Sequence, residues 1–364
     1  MAKTQLMIIG GFLGAGKTTA ILSMAQYLKN HFQKVGIVTN DQSSQLVDTH
    51  YLKSEGWPVV EVTGGCFGAN YDELIQKAEN MAATEAPDVI LAEAVGSCTD
   101  LIAALFRPIQ AQRAPEFDLC PLCVVADPQR VRTLVVEPEH YLWPDEITYL
   151  FQKQLEEADF ILLNRMDTLA EKEADFLAGF LRNRFPGASV IPVAANNIQS
   201  VGIMAPILMG STPRRKKALE VDYDCYGAAG AMLGWLDMGL FLIAPEAMDW
   251  NEFVAVFMSQ VRMAMTGLAA EIAHLKVYAV TVGDYMKASL TALDDAIRFD
   301  RKMGVPALQA SLLVNARIRI TPAILETVVE KILDQLCREW NIIMRKLRTE
   351  SFRPGRPDPK QRLL

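Results

Sequence analysis

A chain of 364 residues with 51% hydrophobic and 22% charged side chains is too long for one ordinary core and too apolar to be disordered, so two folded domains are expected. Its 36 basic and 43 acidic residues leave a net charge of -7, which excludes a nucleic-acid binder held by a broad basic surface. Six cysteines, with no basic leader and apolar signal segment at the start, exclude a disulfide scaffold and predict a reducing, cytoplasmic setting.

From Gln5 to about Val193, short apolar runs alternate with helix-length segments: "QLMIIG", "KVGIVT", "PVVEV", "DVILAEA", "LCVVAD", "DFILLN" and "SVIPVA". Such runs predict βα units around a mostly parallel sheet covered on both faces, an α/β fold. The first run leads into "GFLGAGKT", Gly11 to Thr18, which fits the G-x-x-x-x-G-K-[ST] pattern of a phosphate-binding loop. Its glycines let backbone amides turn inward around phosphate oxygens, and the following helix adds the positive end of its dipole. Gly11, Gly14, Ala15, Gly16, Lys17, Thr18 and Thr19 form the expected cradle. Lys17 bridges the β and γ phosphates and Thr18 holds Mg2+ in this reading.

Further along, "FILLNRMDT" ends a strand with Asn164, Arg165, Met166 and Asp167, one substitution from the N-K-x-D signature by which GTPases read guanine. The Asp167 carboxylate would accept hydrogen bonds from guanine N1–H and the 2-amino group, donors that adenine lacks, and so select GTP over ATP. Arg165 replaces the signature's lysine, and a guanidinium stem can equally lie over a purine face. Asp127 closes an intervening strand without an assigned role.

The P-loop domain is expected over residues 1–209, a polar linker over 210–224, a small α+β domain over 225–350 and a flexible, proline-rich basic tail over 351–364. The apolar run at 226–244 follows the basic run "PRRKK" and matches a bilayer in length. Asp237 at its centre, at about 3 kcal/mol, its glycines and the acidic flank Glu220, Asp222 and Asp224 favour a buried long strand or strand pair over a membrane span. Asp249 and Glu252 form a capping box ahead of Phe253, Phe257 and Val261, and Thr321 with Pro322 starts the last helix. With "KVYAVTV" and "ASLLVNARIRI" as strands between them, the β-α-β-β-α order predicts a ferredoxin-like sandwich.

On these motifs the chain resembles the CobW, urease-accessory and hydrogenase-maturation GTPases that handle metals and metal cofactors. "GGFLGAGKTT" is similar to the CobW loop, "IVTND" and "VTGGC" to segments of the urease accessory GTPase, and "LAEAVG" stands where the family has E-x-x-G or E-x-T-G. The second half resembles the small CobW C-terminal domain in its element order and in "AHLKVYA". The resemblance implies that Asp41 contributes to Mg2+ binding and that Glu93 and Gly96 border the γ-phosphate, with Lys17, Asp41 and Glu93 as the catalytic set. An Asx cap at Asp41 and a solvated strand end at Glu93 are the plain alternatives.

Where relatives carry G-C-x-C-C or C-P-H, "GGCFGAN" offers Cys66 alone, as a functional thiol or a turn residue. Cys98 in "AVGSCTD" is the candidate second ligand for Zn2+, Co2+ or Ni2+, and Cys120 and Cys123 fit small core residues better than ligands. His31, His50, His140 and His274 form no ligand cluster, although Asp48 and His50 follow the Mg2+ segment and fit a mobile switch. The resemblance implies slow hydrolysis of GTP to GDP coupled to a client metalloenzyme or cobalamin-dependent enzyme, by metal delivery or by gating an organometallic cofactor. It also allows a homodimer, and it leaves no role for nucleic acid or membrane. A P-loop small-molecule kinase, which "NRMD" disfavours, and a nucleotide-dependent assembly protein are the alternatives.

Overall fold

The computed structural model describes residues 3–43, 46–113, 116–140, 143–214 and 217–364. They divide into two compact units: residues 1–42, 56–229 and 356–364 form one, and residues 43–55 and 230–355 the other.

In the first unit, β1 (Thr4–Gly10), β2 (Val35–Asn40), β3 (Val59–Val62), β4 (Val89–Glu93), β5 (Phe117–Leu119), β6 (Cys123–Ala126), β7 (Phe160–Leu163) and β8 (Ser189–Pro192) form one sheet. All pairings are parallel, in the order β3-β2-β4-β1-β6-β7-β8, with β5 beside β1. The apolar runs are buried residue after residue, as at Leu6, Met7, Ile8 and Ile9, because helices cover both faces. These helices include α1 (Lys17–Asn30), and the chain proceeds after α2 (Val47–Ser54) through α3 (Tyr71–Glu85), α4 (Arg107–Gln112), α5 (Pro128–Val131), α6 (Asp145–Glu157), α7 (Glu171–Arg184), α8 (Ile198–Met209) and α9 (Tyr223–Ala231). From β1 the chain moves outward to β2 and β3, returns to β4, then crosses to β6 on the other side. The carboxyl end of β1 is thus a topological switch point, where open α/β sheets bind ligands.

In the second unit, β9 (Gly234–Met248), α10 (Trp250–Gly267), β10 (Ile272–Val280), β11 (Tyr285–Leu290), β12 (Arg298–Arg301), β13 (Ala307–Ile318), α11 (Pro322–Glu339) and β14 (Ile343–Phe352) follow one another. The antiparallel order β12-β11-β10-β13-β9-β14 contains the ferredoxin-like core β10-β13-β9-β14, extended by the β11-β12 hairpin on the β10 side. Alternate residues Leu236, Met238, Leu240 and Leu242 of β9 pack with Phe253, Phe257 and Val261 of α10 and with Leu325, Val329 and Leu333 of α11.

The opposite face carries Lys276, Lys287, Asn315, Arg317 and Asp237, and α2 binds there. Asp48 of α2 pairs with Lys276 and, at 3.0 Å, with Lys287, which also meets Asp300 at 3.0 Å. Val47 N donates to Asn315 Oδ1 at 2.8 Å. Arg317, fully buried, pairs with Asp237 at 2.9 Å and lies over the Trp235 ring.

Several expectations change. The segment Asp48–His50, read as a mobile switch, is a helix turn within the second unit, where His50 stacks near Tyr278 at 6.0 Å. The apolar run at 226–244 is the end of α9 and the first part of β9, and no described helix is long and apolar enough to cross a membrane. The stretch read as a linker is tied to the first unit, with Arg214 N donating to Asp159 and Asp222 N to Tyr149; Arg215 and Lys216 lie outside the described residues. The expected flexible tail instead contributes residues 351–352 to β14 and hydrogen-bonds residues 360–363 to the first unit. Asp249 caps the amide of Asn251 where a bond to the amide of Glu252 was expected, and Thr321 makes no side-chain cap although Pro322 does occupy the first turn.

Candidate nucleotide site and cysteine pair

The phosphate-binding loop joins β1 to α1 at the switch point. Gly11, Gly14 and Gly16 have φ of 129°, 78° and 93°, a region that only glycine enters freely. A Cβ on Gly11 would lie 2.2 Å from Val125 O, and one on Gly16 would lie 2.4 Å from Asn164 Nδ2. Phe12 is buried edge-on against Phe151 of α6, ring centroids 5.9 Å apart, and so fastens the loop to the body. The Lys17 ammonium donates to Gly11 O at 2.9 Å and Phe12 O at 3.3 Å, which folds it over the loop. Ala15 is buried within the loop and Thr19 follows in α1.

Thr18 Oγ1 meets both carboxylate oxygens of Glu93, at 3.0 and 3.1 Å, although 75 residues separate them. Both side chains are buried, and their oxygens form the hard, all-oxygen donor set suited to Mg2+. Asp41 follows β2 with its amide on Val62 O and Oδ1 accepting from Gln42 N. Gly96 lies against the phosphate-binding loop: a Cβ there would sit 2.8 Å from Leu13 N. Gln154 of α6, which carries no local sequence signal, donates to Gly96 O at 3.0 Å and Cys98 O at 2.7 Å.

The guanine-signature segment is wired into the same loop. Asn164 Nδ2 donates to Ala15 O at 2.9 Å while its Oδ1 accepts from Ala195 N. Arg165, in left-handed backbone at φ 56°, donates to Gly14 O at 3.1 Å and pairs at 2.7 Å with Asp127. Asp127 thereby gains the role that its sequence position left open, and it also caps α5 by accepting from Arg130 N. The exposed Asp167 receives Asn196 Nδ2 at 3.4 Å. The Arg165 guanidinium thus clamps the loop to Asp127.

The loop after β3 brings Cys66 to Cys98. Cys98 hydrogen-bonds the Cys66 sulfur and, against burial, brings that thiol down to about 7, while burial pushes Cys98 well up. The Tyr226 hydroxyl faces both sulfurs and accepts from Thr99 N at 3.3 Å. Two thiols and a phenol fall short of the three or four ligands that a tight zinc site needs, and no group of three His, Cys, Asp or Glu able to hold a metal occurs among the described residues. Cys120 and Cys123 do not join them. Burial raises Cys120 to about 12 and Cys123 well above its ordinary value, and Cys123 is the first residue of β6.

Next to this pair, Glu157 of α6 accepts from Thr99 Oγ1 and Ile102 N, while burial and the Asp100 carboxylate push it up to about 8.

Residues 5–192 match the family model described as CobW/HypB/UreG, nucleotide-binding domain. The zinc chaperone CobW of a Sinorhizobium species is 30% identical over 186 residues, covering 46% of this chain and 52% of that protein. The zinc chaperone YeiR of Escherichia coli K12 is 29% identical over 174 residues, covering 47% of this chain and 49% of that protein. The chain thus spans about half the length of these curated relatives. Among solved structures, Zn(II)-bound YjiA GTPase from E. coli aligns at TM-score 0.38 and 15% identity, covering 91% of this chain and 99% of that one. HypB from Helicobacter pylori in complex with nickel aligns at 0.39 and 15%, covering 57% and 86%. With more than half of its length matched by that family model, the chain belongs to the CobW/HypB/UreG family.

Proposed function

We propose that the protein binds GTP with Mg2+, hydrolyses it slowly, and uses the change to control its hold on a zinc ion passed to or from a client metalloprotein. The observation that carries the nucleotide half is the meeting of Thr18 with both oxygens of Glu93 under the loop that Lys17 closes. In this reading Lys17 and the loop amides would neutralise the β and γ phosphates, and Thr18 and Glu93, with Asp41, would hold Mg2+, which would supply charge neutralisation at the transferring phosphoryl group. The Gly96 amide borders the γ-phosphate, and Asp167 reads guanine. Catalysis of this kind is mostly positioning, so slow turnover accelerated by a client is expected.

Zinc is the cargo in this reading because the Cys66–Cys98 pair alone offers too few ligands to retain it and because both curated relatives bear the name zinc chaperone. A client or a second copy would supply the remaining ligands. The cobalamin reading has no comparable support.

Two titrations test the proposal. Asp167→Ala should weaken GTP binding at least tenfold and leave ATP binding unchanged; equal loss of both would end the guanine assignment. The reduced protein should bind Zn2+ weakly, through Cys66 and Cys98, with Cys66→Ala abolishing that binding in both the GDP and the GTP-analogue state. Undiminished zinc binding in Cys66→Ala would remove the cysteine pair from the mechanism.

A further inference from the structure

The chain after β14 crosses the loop that carries Cys66. Lys360 N donates to Gly68 O at 3.0 Å and Leu363 N donates to Ala103 O at 3.0 Å, so the backbone of residues 360–363 is laid onto the first unit at two points. A Cβ built on Gly68 would lie 3.4 Å from Pro359 Cβ and 3.9 Å from Cys66 Sγ. Ala104 Cβ lies 3.1 Å from the same point, so Gly68 packs between Ala104, the crossing segment and the sulfur, and Cys66 and Cys98 are 9% and 2% exposed.

Two arginines of this segment meet carboxylates of the first unit. Arg362 Nε donates to Asp100 Oδ2 at 2.6 Å, and Arg356 donates to Asp224 at 2.6 Å. The guanidinium groups of Arg356 and Arg362 lie 5.8 and 5.7 Å from the ring of Tyr223, whose hydroxyl also donates to Asp100. Asp100 is 1% exposed and sits in left-handed backbone at φ 62°, and its Oδ1 has no hydrogen-bond partner among the described residues. A buried carboxylate needs a counter-charge, and the Arg362 guanidinium on the crossing segment meets that need. Asp100 lies two residues after Cys98.

We propose that residues 356–364 are a detachable strap that closes the Cys66–Cys98 pair from solvent, fastened by Arg362 to Asp100 and by the Lys360 amide to Gly68. The strap binds as an extended, arginine-bearing segment, and its release opens the thiols to an incoming metal donor or acceptor. Only that last use rests on the reading of the pair as a zinc site; the closure itself stands on the geometry.

The test is the rate at which Cys66 is alkylated by iodoacetamide in the full-length reduced protein, followed by peptide mapping, with tryptic cleavage after Lys360 and Arg362 reporting strap release. Arg362→Glu removes the fastening charge. Lys360→Pro removes the amide that Gly68 accepts from and keeps the arginine that can re-pair with Asp100, which covers the case in which permanent loss of the counter-charge unfolds the first variant. At least a tenfold faster alkylation of Cys66 is expected in each folded variant, together with faster cleavage at the tryptic site that it keeps, after Lys360 in Arg362→Glu and after Arg362 in Lys360→Pro. Release of the strap with an unchanged Cys66 rate would overturn it as a cover, and failure of Lys360→Pro to release it would overturn the proposed fastening. Zinc titration of the same variants separates this outcome from the metal reading: fast alkylation without zinc binding keeps the strap and removes the cargo.

Discussion

Gly16 shows how much a single missing Cβ decides. Alanine there would combine left-handed strain of about 1 kcal/mol with a contact to Asn164 that must give way. Because the Asn164 amide holds Ala15 O and Ala195 N, the disturbance spreads from phosphate cradle to base segment. Gly16→Ala should weaken binding of fluorescent GDP at least tenfold, about 1.4 kcal/mol, in an equilibrium titration. Glu157 offers a pH test. Its carboxyl ionises near 4.5 when free and about 8 in the fold, so between these values the native state keeps a proton that the unfolded chain has lost. Stability from this group is complete below about pH 4.5 and declines as pH rises to about 8. Glu157→Gln, a permanent mimic of the neutral form, should be nearly as stable as wild type at pH 5 and more stable at pH 8, by on the order of a few kcal/mol in thermal melts. Equal pH slopes for the two proteins would refute the assignment. Placement was legible at this scale where local backbone geometry sets it, as for the loop glycines and for Lys17 and Thr18 at the start of α1. Gln154 and Glu157 were not legible, because a polar residue on an otherwise apolar helix face gives no sign of which loop it will meet.

At the scale of elements, α2 is the clearest case of a tertiary decision. Its own eight residues form a short helix of ordinary amphipathic kind, and nothing in "VDTHYLKS" states which sheet it covers. What decides is charge: Asp48 meets Lys276 and Lys287 across a buried sheet face, and burial, which alone would raise its carboxyl, is outweighed by the two ammonium groups that hold it well down. Removing one partner of a buried network leaves charges without compensation. Asp48→Ala should therefore destabilise the second unit by about 3–5 kcal/mol in urea unfolding, whereas Lys346→Ala, at an exposed pair with Glu330, should change it by less than about 1 kcal/mol. Strand β14 escaped the sequence reading for a related reason. "IMRKLRTESF" alternates poorly and is mostly polar, since it is an edge strand with much of its surface exposed.

At the scale of the molecule, each unit has its own core, so two thermal transitions are expected by calorimetry. GDP with Mg2+ at a hundredfold excess over its Kd should stabilise the nucleotide-binding unit by about 2.7 kcal/mol and raise that transition. A single transition unmoved by nucleotide would contradict both the division and the site. The sequence by itself determined the parallel α/β domain, the glycine-rich loop from β1 into α1 and the ferredoxin-like order of the second half, because these rest on hydrophobic period and on glycine positions that act within a few residues. Only the tertiary structure decided that α2 belongs with the second sheet, that Cys66 finds Cys98 and no third ligand among the described residues, and that residues 360–363 return to the loop that carries Cys66. Those outcomes depend on pairing buried charges and amides across tens to hundreds of residues, and such pairing leaves no periodic trace along the chain.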